Sequence, residues 1–288
     1  MKTISRAFLI STLALLTACS PSKQTTEPTL ETSAFTSQRP IPYEVEEPSD
    51  FQQAVEDGYR SFDGNPGPNY FTNTYSYTIN AELVPADTML FGEASISYTN
   101  NSPDTLSFML FELAQNLHKE GVPRKDIAEI TGGVNITRVT IGGESVVGNQ
   151  RSRPTYIVQG TNLIVYPNER IFPDQVIDLE IDWNFKIPQA GASGRMGYSR
   201  KNLYFLAYWF PHVATYDDVY GWFGDDFTGN AEFYHDFGDY DINITAPEQW
   251  IVMSTGAFLN PEEVLAPSIL EQYNHSTQSD SVVNIVSI

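Results

Sequence analysis

Apolar and polar residues alternate along several long stretches of this chain. Tyr75, Tyr77, Ile79, Ala81 and Leu83 alternate with Thr74, Ser76, Thr78, Asn80 and Glu82. After a Pro-Ala-Asp-Thr turn at 85–88, Ala94, Ile96 and Tyr98 alternate with Glu93, Ser95, Ser97 and Thr99. The same period runs through Leu179, Ile181, Trp183, Phe185 and Ile187, and through Tyr240, Ile242, Ile244 and Ala246. Successive side chains of a strand point to opposite faces, so this pattern puts one face on a core and the other in water, as in antiparallel sheets. Shorter apolar runs at 106–111, 134–141, 155–158, 162–166, 203–210 and 250–255 predict further strands between Gly, Pro and Asn turns. The Gly142-Gly143 pair reads as a hairpin turn. Helix is predicted over Arg124–Ile130 and from the acids Glu262 and Glu263 after Pro261, and a strand-like run, Val282–Ile288, closes the sequence. The predicted fold is all-β, an antiparallel saddle or sandwich of two or more sheets.

The amino-terminal residues follow a different logic. Lys2 and Arg6 precede the apolar stretch Ala7–Leu16, which is too short to span a bilayer comfortably and predicts a signal peptide. It ends Leu16-Thr17-Ala18-Cys19, which resembles the lipobox of bacterial lipoproteins; the alternative is an ordinary secretory signal with an incidental cysteine. The resemblance implies cleavage after residue 18 and acylation of Cys19, and Ser20 in place of Asp implies the outer membrane. Acyl chains on Cys19 would anchor the protein stably in the bilayer. Residues 20–50 are dominated by Ser, Thr, Pro and Glu and predict a disordered tether, and residues 51–69 an irregular lead-in. The predicted organisation is a signal peptide at 1–18, lipidated Cys19 and tether at 19–50, a β-domain at 51–265, and the start of a connection at 266–288.

Composition removes several functions. Sixteen Lys+Arg against 36 Asp+Glu give a formal charge of −20 over 288 residues, with no basic cluster to meet phosphates, so no nucleic-acid partner is expected. The same charge repels an anionic membrane, which leaves lipid as the anchor. One cysteine excludes an internal disulfide framework, and none of the four histidines has a His-Glu-x-x-His partner. No Gly-x-Ser-x-Gly elbow and no phosphate-binding Gly-rich loop is present.

The segment from Tyr204 to Trp222, continuing to Asp226, carries four tyrosines, two tryptophans, His212 and the pairs Asp217/Asp218 and Asp225/Asp226. Aromatic platforms beside carboxylates suit a glycan- or peptide-binding groove. The acid pairs could also serve a glycosidase-like reaction or Ca²⁺, although adjacent acids in one loop rarely face each other across a substrate and the EF-hand spacing is absent. The plainer alternative is that the aromatics pack in the core and the acids are solvated.

Trp209-Phe-Pro-His-Val-Ala-Thr-Tyr-Asp-Asp-Val-Tyr-Gly-Trp222, Gly229-Asn-Ala-Glu-Phe-Tyr234, Phe237-Gly-Asp-Tyr-Asp-Ile-Asn-Ile-Thr245 and Thr255-Gly-Ala-Phe-Leu-Asn-Pro261 resemble the amino-terminal β-domain of bacterial M1-family (aminopeptidase N-like) zinc metallopeptidases. The strands at Tyr75–Leu83 and to Tyr98, and Leu106–Leu117, fit the same domain, so the resemblance spans about residues 70–265. It implies a saddle of β-sheets that caps a thermolysin-like domain bearing Gly-x-Met-Glu-Asn and the zinc-binding His-Glu-x-x-His. Neither motif occurs here, so zinc is expected only in a catalytic domain missing from this chain or separately encoded, and this chain is expected to be non-catalytic, a truncated or split product. The family's Gln-x-Glu strand, which holds the substrate's α-amine, has its best match at Tyr208-Trp209-Phe210-Pro211, where both polar positions are aromatic. Tyr208, Phe210 and His212 are therefore candidates for one wall of a substrate cleft, with a core role for Phe210 and a surface role for His212 as alternatives. Two other functions compete: a free-standing binding module using the 204–227 aromatics, and a small hydrolase using the acids of the same loop.

Overall fold

The long alternating stretches become neighbouring strands of one sheet. The computed structural model describes residues 46–189, 195–200, 202–230 and 233–286; the signal segment, Cys19 and most of the tether lie outside the described residues. In chain order the elements are α1 (Ser49–Glu56), β1 (Thr74–Val84), β2 (Met89–Thr99), β3 (Met109–Glu112), a 3-10 turn (Ala114–His118), β4 (Val134–Ile141), β5 (Glu144–Ser145), β6 (Val147–Gly148), β7 (Thr155–Gln159) and β8 (Asn162–Tyr166). There follow β9 (Val176–Lys186), β10 (Gly197–Ser199), β11 (Leu203–Phe205), β12 (His212–Val213), β13 (Tyr216–Asp217), β14 (Gly221–Trp222), β15 (Asp239–Thr245), α2 (Pro261–Val264) and α3 (Pro267–Ser276). A six-stranded sheet has the order β15-β1-β2-β9-β4-β5 and a five-stranded sheet the order β12-β3-β8-β7-β6. One apolar core joins them, drawn from the inner residues of β1, β2, β4 and β9 on one side and of β3, β8 and β12 on the other. The fold is the expected all-β sandwich. It departs from a purely antiparallel arrangement at two sheet edges, where β15 runs parallel to β1 and β6 parallel to β7.

The register arranges the core side chains in rows across the large sheet. One row reads Tyr240–Tyr77–Ile96–Leu179–Ile141, the next Ile242–Ile79–Ala94–Ile181–Val139, and the third Ile244–Ala81–Gly92–Trp183–Ile136. Residues opposed in one row are in direct contact, so their volumes must add to a constant depth. Large and small alternate accordingly: Trp183 lies between Gly92 and Ile136, in the row that Ala81 continues beyond Gly92. A Cβ at Gly92 would lie 2.2 Å from Trp183 Cζ2. Trp183 itself is buried and its Nε1 donates to the Trp209 carbonyl at 3.0 Å.

β4 reads Val134, Ile136, Val139, Ile141, a pattern that slips out of alternation by one residue. A β-bulge between Ile136 and Arg138 absorbs the slip and returns Val139 and Ile141 to the core face. It also sends Arg138 to the outer face, where it pairs with Asp182 and Glu180. That ion pair is half exposed and contributes little to stability. β3 is buried at every position, which explains why Met109–Phe111 read as a continuous apolar run rather than an alternation before Glu112. At the β4–β5 hairpin Gly142 and Gly143 both have positive φ, 59° and 80°, as the primed two-residue turn requires.

β15 is the exception to the sandwich rule. Its alternation points Tyr240, Ile242 and Ile244 to the same face as Tyr77, Ile79 and Ala81, and the second sheet reaches this face at Tyr240 through His212 of β12. All seven of its positions are exposed, with Ile242 at 37% and Ile244 at 38%. The expected buried face is therefore present in direction and only partly covered. Further apolar residues nearby in sequence, Ile251, Met253, Leu259 and Val264, are also exposed.

Other expectations fail locally. Residues 124–130 form no helix: Ile127 is fully exposed, and the Lys125 N–H donates to the Thr228 carbonyl instead of to a helical turn. Only 203–205 of the run at 203–210 is strand, because Tyr208 takes a left-handed φ of 55° and Pro211 follows. Residues 250–255 and 282–286 pair with no strand. The lead-in is better ordered than expected, since α1 starts at Ser49 and buries Ala54. Helix does begin at Pro261, with Glu262 and Glu263 in its first turn.

The row geometry predicts unequal costs. Gly92→Ala forces a methyl into the Trp183 ring and should destabilise the protein by about 1–3 kcal/mol. Ile242→Ala, on the uncovered edge, should cost less than about 1 kcal/mol, well below the ~2–5 kcal/mol of a core truncation. Urea unfolding midpoints at constant m-value check this; equal losses would contradict it.

Candidate functional site

Two of the three proposed cleft residues, Phe210 and His212, meet at the border between the sheets. Trp183 holds the Trp209 carbonyl, which fixes the extended segment that follows. β12 then pairs with β3, setting His212 opposite Glu112. The Phe210 ring packs against Tyr77 at 5.6 Å and His212 at 5.4 Å, so it belongs to the core wall. Tyr77 takes part from below: its hydroxyl donates to the Pro211 carbonyl and accepts the Val213 N–H. Tyr208 lies elsewhere. Its left-handed backbone turns the ring away to pack on Phe227 and Phe233, with the Arg195 guanidinium 5.3 Å from its centroid.

Around His212 the chain gathers a partly buried polar cluster, with Glu112 at its buried end. His212 Nδ1 lies 2.8 Å from the Val213 carbonyl, and Nε2 lies 2.7 Å from the Tyr240 hydroxyl. The carbonyl can only accept, so Nδ1 carries the proton, Nε2 accepts, and Tyr240 donates to it. Tyr75 donates its own hydroxyl proton to the Asp236 carbonyl, which leaves the 3.4 Å approach of the Tyr75 and Tyr240 oxygens a contact without a shared proton. The His235 ring lies against His212 with centroids 3.7 Å apart, and His235 Nε2 is 2.9 Å from Glu112 Oε2.

The Glu112–His235 contact has the distance of an ion pair, yet both groups are neutral. Burial pushes the Glu112 carboxyl up to about 9. Burial also lowers His235 to about 4. His212 falls to about 3, first through burial and then through the neighbouring His235 ring. The carboxylic acid therefore donates to an imidazole nitrogen, and Glu112 Oε1 has no hydrogen-bond partner. In a low-dielectric setting a neutral bond costs less than two desolvated charges.

This arrangement does not offer a metal site. Both His212 nitrogens and His235 Nε2 are engaged, and among the described residues no group of three or more His, Cys, Asp or Glu is placed to hold a metal ion. Its chemistry is that of a pin: it joins β3, β12, β15 and the 233–238 segment through neutral hydrogen bonds.

Sequence reasoning missed Glu112, His235 and Tyr240 as members of the cluster. Glu112 did carry a signal, an acid at the end of a fully apolar run, a setting in which acids are seldom buried without a partner. The four acids of the aromatic loop separate. Asp218, its side chain 2% exposed, forms a two-point ion pair with Arg60 at 2.6 and 2.7 Å. Asp217 accepts the Val219 and Tyr220 N–H groups and the Tyr234 hydroxyl. Asp226 accepts the Thr161 N–H and hydroxyl, and Asp225 is exposed. Three of the four thus tie loops together, which contradicts the solvated alternative for them. The aromatics of the segment largely join the core, Trp209, Phe210, Tyr216 and Trp222 among them.

No protein-family model matches the chain, and no curated protein matches it. Similar solved structures include an M1 zinc metallopeptidase from Deinococcus radiodurans, at 11% identity and a TM-score of 0.37 over 68% of this chain. A substituted form of that organism's enzyme, bound to a Tyr-Ser-Ala substrate, gives 12% identity and 0.37, also over 68% of this chain. A two-domain M1 zinc metallopeptidase bound to L-tryptophan gives 12% and 0.38. The chain covers 37–38% of the length of these structures. The similarity is distant and partial, and the all-β assignment rests on the strands themselves.

The cluster fixes the sign of a pH dependence. Below an unfolded histidine value near 6.5, the unfolded chain takes up protons that buried His212 and His235 refuse until about 3 and 4, so stability falls as pH drops from 6.5. Glu112 keeps its proton in the folded state up to about 9 and loses it near 4.5 when unfolded, so its contribution falls as pH rises from 4.5 to 9. Two histidines outweigh one acid below 6.5, and the acid acts alone above it. The cluster's contribution should peak near pH 6.5, with limiting slopes of about 1.4 kcal/mol per pH unit per net proton. Urea unfolding from pH 5 to 8.5 checks this: Glu112→Gln should flatten the alkaline limb, and an unchanged limb would contradict it.

Proposed function

We propose that this protein is the non-catalytic β-domain of an M1-like (aminopeptidase N-like) zinc metallopeptidase, acting with a zinc-bearing catalytic domain supplied from outside the residues of this sequence. The chain is anchored by acylated Cys19 at the outer membrane, with residues 20–50 as the tether. The reading is supported by the quoted stretches between residues 70 and 265. The observation that carries it is the partly exposed apolar face of β15. A strand whose alternation marks an inner face, and whose Tyr240, Ile242 and Ile244 remain 37–40% exposed, is built to be covered by something the sheet itself does not supply. Among the described residues β15 is also an edge strand, paired on one side only, with β1.

Under this reading the chain binds no zinc of its own and its residues take part in no bond cleavage. Its role is to present one wall of the peptide cleft and to close the catalytic domain from solvent, the Tyr208–His212 segment being the nearest candidate for that wall. The polar cluster around His212 would hold the segment at a fixed height above the sheet.

The purified full chain should contain no stoichiometric zinc and should show no chelator-sensitive hydrolysis of alanine 4-nitroanilide. One equivalent of metal with such activity would sink the proposal. In native membranes, chemical cross-links from β15 and residues 251–264 should reach a polypeptide bearing His-Glu-x-x-His; cross-links that reach only unrelated proteins would also sink it. Radiolabelled palmitate should enter the wild-type chain and be absent from Cys19→Ser, and equal labelling would contradict the anchor.

A further inference from the structure

A cleft of about 570 Å³ opens between α1, the lead-in to β1, the β13–β14 hairpin and the 234–236 segment. Its walls hold six aromatic rings, five carboxylates and a single guanidinium, that of Arg60. That guanidinium shows what the walls can do. Asp218 grips it through two hydrogen bonds, and it lies over the Tyr70 ring at 5.5 Å from the centroid. A carboxylate at one side and a ring face at the other make a setting in which a cation is stabilised twice, by charge and by the ring quadrupole.

The same two components recur in the rest of the cleft with no cation between them. Asp236 is partly buried, and its side chain is the partner in no hydrogen bond or ion pair of the described residues. Burial and the nearby Asp217 raise its carboxyl above the ordinary range, more than the neighbouring His235 lowers it. Tyr234 stands beside it, held by its hydroxyl to Asp217, and Tyr220 projects at the rim with 71% of its surface exposed. Once Arg60 and Asp218 cancel, the lining is left with a net excess of carboxylates facing rings. An anion would be repelled by this lining, and a neutral apolar ligand would leave the partly desolvated acid unanswered.

We propose that this cleft binds an organic ammonium group, seated between the Asp236 carboxylate and the Tyr220 and Tyr234 rings. The proposal does not rest on the metallopeptidase reading, and its test does not touch β15 or zinc.

Isothermal titration of the full chain with choline chloride and with n-butylammonium chloride, at ionic strength fixed with sodium chloride, tests it. Saturable binding of at least one of the two ammonium ions is expected, with at least tenfold weaker binding in Asp236→Asn, which keeps the side chain's shape. Tyr220→Ala, at an exposed ring whose loss leaves the fold intact, should weaken binding severalfold. The uncharged choline analogue 3,3-dimethylbutan-1-ol should not bind. Absence of saturable binding to either ammonium, undiminished binding in both variants, or equal binding of the uncharged analogue would each overturn the proposal.

Discussion

Trp183 can lie across the large sheet because Gly92 directly opposite it and Ala81 beyond have almost no side chain, while Ile136 flanks its other side. That single volume constraint propagates. The buried indole must place its N–H on an acceptor, and the acceptor is the Trp209 carbonyl. Fixing Trp209 fixes Phe210, Pro211 and His212, and with them the short pairing of β12 to β3 that closes the edge of the second sheet. The aromatic segment that dominates the sequence is thus positioned by a glycine more than a hundred residues earlier.

From His212 the constraint reaches β15. The neutral imidazole takes a proton bond from Tyr240, and Tyr240 stacks on Tyr77 at 5.4 Å. One end of β15 is therefore pinned by aromatic and polar contacts, while Ile242 and Ile244 continue the core rows and remain partly exposed. A sheet edge with its inner face exposed combines two liabilities, open backbone groups and wet apolar surface. Asp239 and Asp241 on the opposite face supply charge against indiscriminate pairing. The polar cluster achieves its attachment without ions: a protonated Glu112 and two neutral histidines leave no charge to be solvated in the interior.

Much of this was legible in the sequence. The alternations of β1, β2, β9 and β15 give both the strands and the direction of each face, because period two is a local property of an extended backbone. What alternation cannot encode is which element covers a face, and so Tyr240, Ile242 and Ile244 were expected to be buried. The helix expected at 124–130 failed for a related reason: the residues have helical propensity, but Ile127 finds no surface to pack against, and propensity alone rarely holds so short a helix. At the site, Phe210 and His212 were identifiable by their place in an aromatic run, and the structure assigns Phe210 to the core wall. Glu112 and His235 lie 123 positions apart, and no local pattern could have joined them. The ties made by Asp217, Asp218 and Asp226 are likewise contacts between distant loops, so a pair of adjacent acids looked solvent-facing when three of these four acids are structural.

The central claim is that β15 belongs to the sheet by its backbone and has its inner face left open in this chain. Amide hydrogen exchange of the full chain, read by mass spectrometry on peptides covering 90–98, 177–185 and 239–245, tests it most directly. The account predicts that the first two remain protected up to global unfolding while 239–245 exchanges orders of magnitude faster. Protection of 239–245 equal to that of β2 and β9 would contradict it.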